Sequence, residues 1–362
     1  MPLTITATDV EVPKPVNVIM SETFLRRARQ KLPYFIGSQP GQLIRHGGTA
    51  TLKWRRVEQE TPTTAALAEL TGTASFMMGR NADTPSVTDV TATVSKYGQF
   101  YILNEEVDLY NPAGSFREYV AVLGESAGRS LNQLQRDIME DNATQRYAGN
   151  VASDGAVAAS VTVGDLHYVT QELMVNSART FTAMTTGSQN IGTSPILSSF
   201  WAVCHPYVAH DVAGLSGFTS VEKYAGQVRT APGEFGYFSR VGTGLRFIMS
   251  EDASVDAGQG ASGAASADKR NTSGNTDLFT IVIYGRDAFG SVGLDQSLID
   301  GAFEAGDDTG NWEIIIHDRG SGGIGDPFNE VSTVAWKAFH GGAVLNANWS
   351  RALRVAATDL TN

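Results

Sequence analysis

The stretch SFREYVAVLGESAGRSLNQLQRDIMEDNATQRYA, residues 115–148, decides how the rest of the chain is read. Its large apolar residues are Phe116, Tyr119, Val120, Leu123, Leu131, Leu134, Ile138 and Tyr147, recurring in steps of three and four, with Ala127 filling a gap. An α-helix turns every 3.6 residues, so those steps draw one apolar stripe along a single rod. Ser115 and Glu118 have capping-box spacing, Pro112 stands just upstream, and Gly149 offers a stop. At 1.5 Å per residue the rod would run about 50 Å, roughly three times an ordinary globular helix. Gly124 and Gly128 lie one turn apart within it. Each costs about 1 kcal/mol relative to Ala, so either another backbone packs close there or the rod bends.

Length and composition bound the rest. A chain of 362 residues exceeds what one hydrophobic core serves, so two or more lobes are expected. Its 42% hydrophobic content is ordinary for a globular protein, and no apolar run approaches the length of a membrane helix. No basic-then-apolar leader opens the sequence, so the expectation is a protein made and working in solution, without a membrane partner. The single cysteine, Cys204, excludes an internal disulfide. A net charge of −11 argues against a dedicated nucleic-acid binder. The charge is uneven, however: residues 1–60 carry +4 and the remaining 302 carry −15. A basic arm on an acidic body suits packing of identical subunits, arm onto neighbour; chance asymmetry of a solvated surface is the plain alternative.

Residues 1–20 hold three prolines and no helical period, an extended arm with nothing of its own to lie on. Ser21 is placed to cap a short helix over 24–31 ended by Pro33, and 37–48 reads as loop. TATLKWRRVE, 49–58, has strand character, with Leu52 and Trp54 on the face opposite Lys53 and Arg55. Its partner is expected in 87–110, two strand runs broken at Tyr97-Gly98. The intervening 59–86 is far too long for a tight hairpin. It includes helix-compatible TTAALAEL at 63–70 and a polar tip carrying Phe76, Met77 and Met78. Such adaptable apolar groups either dock on another subunit or fold back on their own lobe.

After the long helix, 149–160 reads as a linker. Residues 163–177 read as a second helix with Leu166, Val169, Leu173 and Met174 on one side. Residues 200–203 read as a strand, 207–213 and 218–224 as short helices, and 235–249 as strand segments with Gly turns. DAGQGASGAASADKRNTSGN, 256–275, has no large apolar residue and reads as an exposed, flexible insertion. LFTIVIY, 278–284, is a continuous apolar run of the kind buried on both faces. Residues 312–316 form another, and 336–346 with 352–356 close the chain. The sum is an α+β body with a long rod, a protruding two-stranded arm and a loose N terminus.

Chemical motifs are weak. Gly320-Ser321-Gly322-Gly323-Ile324-Gly325 matches G-x-G-x-x-G, but Asp326-Pro327 follows where a helix must begin to hold a pyrophosphate. His210 and Asp211 are adjacent, diverging by about 100° on a helix, so with His205 they make a poor metal set. His317-Asp318-Arg319 shows no nucleophile or paired partner. Cys204 beside an apolar strand reads as a small buried hydrophobe. No catalytic, cofactor or metal site is expected, and the protein reads as a non-enzyme.

The order of parts resembles the major capsid proteins of tailed bacteriophages, the Hong Kong 97 fold, in its N-four-type podovirus branch. The local motifs are Thr276-Asp277-Leu278 through Ile283-Tyr284-Gly285-Arg286-Asp287-Ala288-Phe289-Gly290, and Asp326-Pro327-Phe328 followed by Val334-Ala335-Trp336-Lys337-Ala338-Phe339. Residues 200–206 and 242–250 fit more loosely. These motifs lie after residue 200; the rest matches by architecture and order. The resemblance implies an N-arm at 1–48 and an E-loop with its base strands at 49–110. It implies a peripheral (P) domain at 111–180 with spine helix 115–148, an axial (A) domain at 181–335, and a return to the P domain at 336–362. It implies self-assembly into hexamers and pentamers of an icosahedral head around double-stranded DNA, within a virion built in the host cytoplasm. Portal, scaffolding and decoration proteins are the implied partners. Leu52, Trp54, Phe76, Met77 and Met78 would engage the next subunit. Arg26, Arg27, Arg29, Arg55 and Arg56 would form inter-subunit ion pairs or face DNA, and Gly124 and Gly128 would govern packing or bending of the spine helix. Residues 59–95 hold no lysine, so covalent cross-linking at the loop tip is not expected. An encapsulin-like cargo shell sharing the fold, and a nucleotide-binding α/β enzyme using the Gly-rich loop, are the alternatives.

Overall fold

The computed structural model describes residues 24, 27, 32–43, 49–58, 60–64, 85–110, 116–181, 197–224, 233–239, 243–262, 268–294, 312–317, 328 and 330–360. The long helix runs Phe116–Asn142, 27 residues and so about 40 Å. It ends earlier than its sequence period predicts. The Asn142 side chain donates back to the Ile138 carbonyl at 2.9 Å, and the Ala143 N–H still reaches Met139 O at 3.1 Å. Thr144–Tyr147 then becomes a strand parallel to 351–354. Pairing the backbone of β-branched Thr144 and its neighbours with a buried strand outweighs continuation of the helix, so Tyr147 does not extend the stripe. The expected Ser115 cap lies outside the described residues.

Val120, Leu123, Ala127 and Leu131 of the helix pack on Val334, Trp336 and Ala338 of the strand Val331–Val344, with Tyr97, Tyr101, Ile314 and Ile316 beside them. That strand is the axis of a five-stranded sheet. It pairs antiparallel with Ser95–Asn104, with Trp312–His317 and, through 341–344, with Phe289–Leu294. Gln39–Leu43 lies parallel to Phe289–Leu294, where a loop was expected. Strand alternation puts Val334, Trp336, Ala338 and His340 under the helix and turns the odd-numbered residues to the other face.

A second, eight-stranded sheet forms the larger body, in the order 144–147, 350–356, 278–284, 199–204, 244–249, 234–238, 218–220, with 255–256 also on 278–284. Leu278–Tyr284 is buried throughout. One face of the sheet packs on the helices Val163–Val175 and Pro206–Ala213 through Leu166, Val169, Leu173, Val208 and Val212. The other face presents Trp201, Val203, Ile248, Val282 and Tyr284 to Tyr34 and to Met139 of the long helix. Burial on both faces is why 278–284 reads as an unbroken apolar run. The chain passes between the sheets three times, once through the long helix and twice through short crossings, from 284 to 289 and from 344 to 350. The Leu345 N–H donates to Ala288 O at 2.8 Å and the Gly285 N–H to Trp349 O at 3.0 Å, clasping the two crossings.

Several expectations are corrected. The break before residue 110 falls at Val94, not Tyr97-Gly98, and Glu105–Tyr110 is helical instead of strand. Residues 218–224 form a short strand and a 3-10 turn. Met174, expected inward, is 46% exposed. The margins of 256–275 are tied in: Asp256 ion-pairs with Arg354, and the Gly258 N–H donates to Asp277 at 2.8 Å. Residues 111–180 and 336–362, grouped above as one peripheral lobe, contribute to both bodies: Val163–Val175 packs on the larger sheet and Ser350–Ala356 lies within it.

Candidate assembly surfaces

Thr51–Val57 and Val87–Thr93 form a two-stranded ribbon in the register Trp54↔Val90 and Arg55↔Asp89. Leu52 and Trp54 are half-buried, packing on Ala92 and Val292 of this same chain. A Cβ on Gly41 or on Gly290 would stand 2.7 Å from the Trp54 ring, so both glycines make room for the indole. The ribbon carries charge on both faces, with Arg55 opposite Trp54 and Arg56 on its side. Arg55 Nε donates to Asp89 at 3.0 Å, and Arg56 ion-pairs with Glu58 while donating to Leu345 O at 2.6 Å. Thr88 adds a hydroxyl donor to Glu58 at 2.7 Å. The hydrogen bond from Arg55 holds the Asp89 carboxyl below its ordinary pKa, and that from Arg56 does the same for Glu58. Both arginines that sequence reasoning offered to a neighbour or to DNA therefore have partners within the chain. Arg27 is exposed. Arg26, Arg29, Phe76, Met77 and Met78 lie outside the described residues.

An apolar surface absent from the sequence reading lies on the free face of the five-stranded sheet. Phe100 and Ile102 are 62% and 61% exposed there, on the side away from the long helix. Ala335 and Thr333 stand across from them on the long strand. The signal was present: in FYIL both strand faces are apolar, where a strand with one solvated face should alternate. The same end of the sheet carries Leu109, Tyr110 and Phe328, all well exposed.

The long helix is joined to the larger body by a polar clamp. Buried Asp252 accepts from Arg129 Nε at 2.9 Å, Asn132 Nδ2 at 3.1 Å and Gln133 Nε2 at 3.2 Å. Asn132 Oδ1 in turn accepts from the Tyr34 N–H at 3.1 Å, tying in the N-terminal segment. Two turns further on, Glu140 is buried; loss of hydration raises its pKa to about 7, with Ser254, Arg136 and Arg354 pulling the other way. At Gly124 a Cβ would meet the Phe24 carbonyl oxygen at 2.6 Å, so helix and N-terminal segment touch backbone to backbone. Gly128 is likewise buried.

Among the described residues the histidines do not assemble into a site. His205 caps the helix Pro206–Ala213 by accepting from the Tyr207 N–H, and Asp211 accepts from the Thr358 N–H at 2.9 Å. Cys204 is buried, which pushes its thiol up to about 12. Among the described residues no group of three His, Cys, Asp or Glu is placed to hold a metal, and no helix is long and apolar enough to cross a membrane. The Gly-rich loop lies outside them.

Comparison with known proteins fits this geometry. The family model described as phage capsid protein matches residues 87–355. No curated protein matches the sequence. Among solved structures, the capsid of Ralstonia phage GP4 superposes with a TM-score of 0.59 at 11% identity, covering 100% of both chains. The cyanophage Pam1 capsid asymmetric unit gives 0.55 at 10% identity, covering 98% of this chain and 96% of that one. The capsid of cyanophage P-SCSP1u gives 0.52 at 12%, covering 98% and 93%.

Proposed function

The chain belongs to the phage capsid protein family, as a major capsid protein of Hong Kong 97-like fold, and from that premise we propose that its copies close into hexamers and pentamers of an icosahedral head around double-stranded DNA. The role is structural, with no reaction catalysed. The observation that carries the reading is the outward sheet face: Phe100 and Ile102 stand more than half exposed on Ser95–Asn104, a strand paired only with the long strand Val331–Val344 among the described residues. Exposed apolar surface of that kind finds burial against another molecule. We assign the loop tip with Phe76, Met77 and Met78 to the corresponding face of a neighbouring copy. Leu52 and Trp54 serve the root of the ribbon. Arg27, with Arg26 and Arg29, is offered to inter-subunit acids or packaged DNA. Portal, scaffolding and decoration proteins complete the particle, and assembly proceeds in the host cytoplasm.

Electron microscopy of the purified protein under assembly conditions tests this. Closed shells or capsomer rings are expected; a monodisperse monomer at high concentration would refute it. Phe100→Asp with Ile102→Asp should abolish assembly while leaving the circular dichroism of the subunit unchanged. Native particles that hold protein cargo and no DNA would overturn the head assignment in favour of a cargo shell.

A further inference from the structure

The sheet that carries the exposed apolar face has two ends, and they differ in chemistry. At one end the helix Glu105–Tyr110 is tied to the start of the long strand by the Glu105 N–H, which donates to Glu330 O at 2.8 Å. Glu106, Leu109 and Tyr110 fall three and four residues apart, so they share one side of that turn. All three are exposed, Leu109 at 69% and Tyr110 at 82%. They form a knob of one carboxylate between two apolar side chains.

At the other end, where the long strand gives way to Leu345, a groove of about 900 Å³ opens between the ribbon and the end of the helix Val163–Val175. Its floor and walls include Val57, Val175, Leu345 and Trp349, with Arg55 and Arg179 on the rim. Val57 and Val175 are 64% and 83% exposed, so among the described residues nothing covers the apolar surface of the groove. Asp287 faces both Arg179, at 3.7 Å, and Arg286, at 4.0 Å. Two guanidiniums share one carboxylate, which leaves a positive surplus beside the apolar floor.

We propose that the Glu106–Leu109–Tyr110 knob of one copy seats in this groove of the next, Leu109 and Tyr110 covering Val57 and Val175 and Glu106 meeting Arg179. The inference rests on the self-assembly reading and specifies one of its contacts. Knob and groove cannot meet within a copy. They lie at opposite ends of the 14-residue strand Val331–Val344, roughly 45 Å apart at about 3.3 Å per residue. A knob and a hole on different surfaces make a head-to-tail contact, and repetition of such a contact closes a ring when the rotation allows. The contact therefore belongs between adjacent copies around a capsomer.

Cysteine cross-linking of assembled particles tests it. Leu109→Cys and Val175→Cys are combined in one chain and treated with a short bis-maleimide, with buried Cys204 a silent background. A ladder of cross-linked oligomers, absent from either single variant, is the expected result. Particles that form normally but give no ladder overturn the contact and leave the shell reading standing. A Val175→Cys thiol that reacts freely with a maleimide dye in intact particles overturns it too, because the groove is then empty. A thiol that is protected without a ladder assigns the groove to some other occupant and also refutes the proposal. In a second arm, Arg179→Glu should lower particle yield at least tenfold, and adding Glu106→Arg should restore it; a double variant no better than the single speaks against the pairing. If the unmodified chain forms neither rings nor shells, both readings fail together.

Discussion

Replacing Glu140 by Gln should make the subunit lose more stability on acidification than the unmodified chain does. Two buried groups near the long helix titrate in opposite senses over one range. Glu140, whose pKa burial lifts from 4.5 to about 7, binds its proton more tightly folded than unfolded. Its contribution to stability therefore grows as pH falls from 7 towards 4.5. His340, under the helix beside the Phe35 ring, has its pKa lowered by burial from 6.5 to about 4. It binds its proton more weakly folded than unfolded, so stability drains away as pH falls from 6.5 towards 4. Integrated from pH 8 to pH 5, the first is worth about +2.5 kcal/mol and the second about −2 kcal/mol. The two nearly cancel.

Urea unfolding of dilute, unassembled subunits at pH 8 and pH 5 reads the difference directly. The unmodified chain should change by about 0.5 kcal/mol through these two groups, and Glu140→Gln should lose about 2 kcal/mol on acidification. His340→Asn should instead gain about 2.5 kcal/mol on acidification. Identical slopes for the unmodified chain and Glu140→Gln would refute the argument, since they would mean that Glu140 ionises alike in both states.

Other substitutions probe the joints. Glu172 takes Arg146 and Arg351 together; despite the opposing effect of burial, hydrogen bonds from both bring its pKa down to about 2. Glu172→Gln should cost about 3 kcal/mol at pH 7, and the difference from the unmodified chain should shrink as pH falls from 4.5 and vanish near pH 2, as followed by urea midpoints. Gly124→Val forces side-chain atoms into the Phe24 carbonyl, which the backbone cannot yield; a loss of about 1–3 kcal/mol is expected in thermal melts. Asp252→Asn removes the carboxylate accepting from Arg129, Asn132 and Gln133. It should cost about 2–4 kcal/mol and raise hydrogen exchange along 129–136, whereas Asp137→Asn, at an exposed acid, should shift stability by less than about 1 kcal/mol.

The parts that a sequence disclosed are those with a local cause. The helix over 116–142 is written in its own period, Leu278–Tyr284 in its own apolar run, and the ribbon in the alternation around Trp54. What stayed hidden depends on partners distant in the chain. Residues 144–147 turn to strand because Arg351 to Arg354 lie alongside, more than 200 positions on. Gln39–Leu43 becomes a strand by pairing with 290–294, despite Pro40 and Gly41, which read locally as loop. Asp252 has no local signature at all; its role comes from three residues of a helix about 120 positions earlier. The apolar outward face was visible in Phe100 and Ile102, but a strand with both faces apolar is also what a buried strand looks like, and only the sheet's layering tells which face is bare.

That layering also explains how one chain can be well packed and still incomplete. The long helix covers one face of the five-stranded sheet through Trp336 and its neighbours, and also reaches the larger sheet through Met139. The helix cannot cover the other face of the smaller sheet as well, and among the described residues no element packs over Phe100 and Ile102. The two short crossings between the sheets, clasped at Ala288–Leu345 and Gly285–Trp349, fix that bare face relative to the larger body. Whatever covers the face is consequently held in a defined orientation to the rest of the subunit. A shell of repeated contacts requires such an orientation, because an error at one joint is multiplied around every ring. The buried polar clamp at Asp252 belongs to the same logic: a purely apolar joint would tolerate sliding, whereas three convergent donors on one carboxylate fix the register of helix and body.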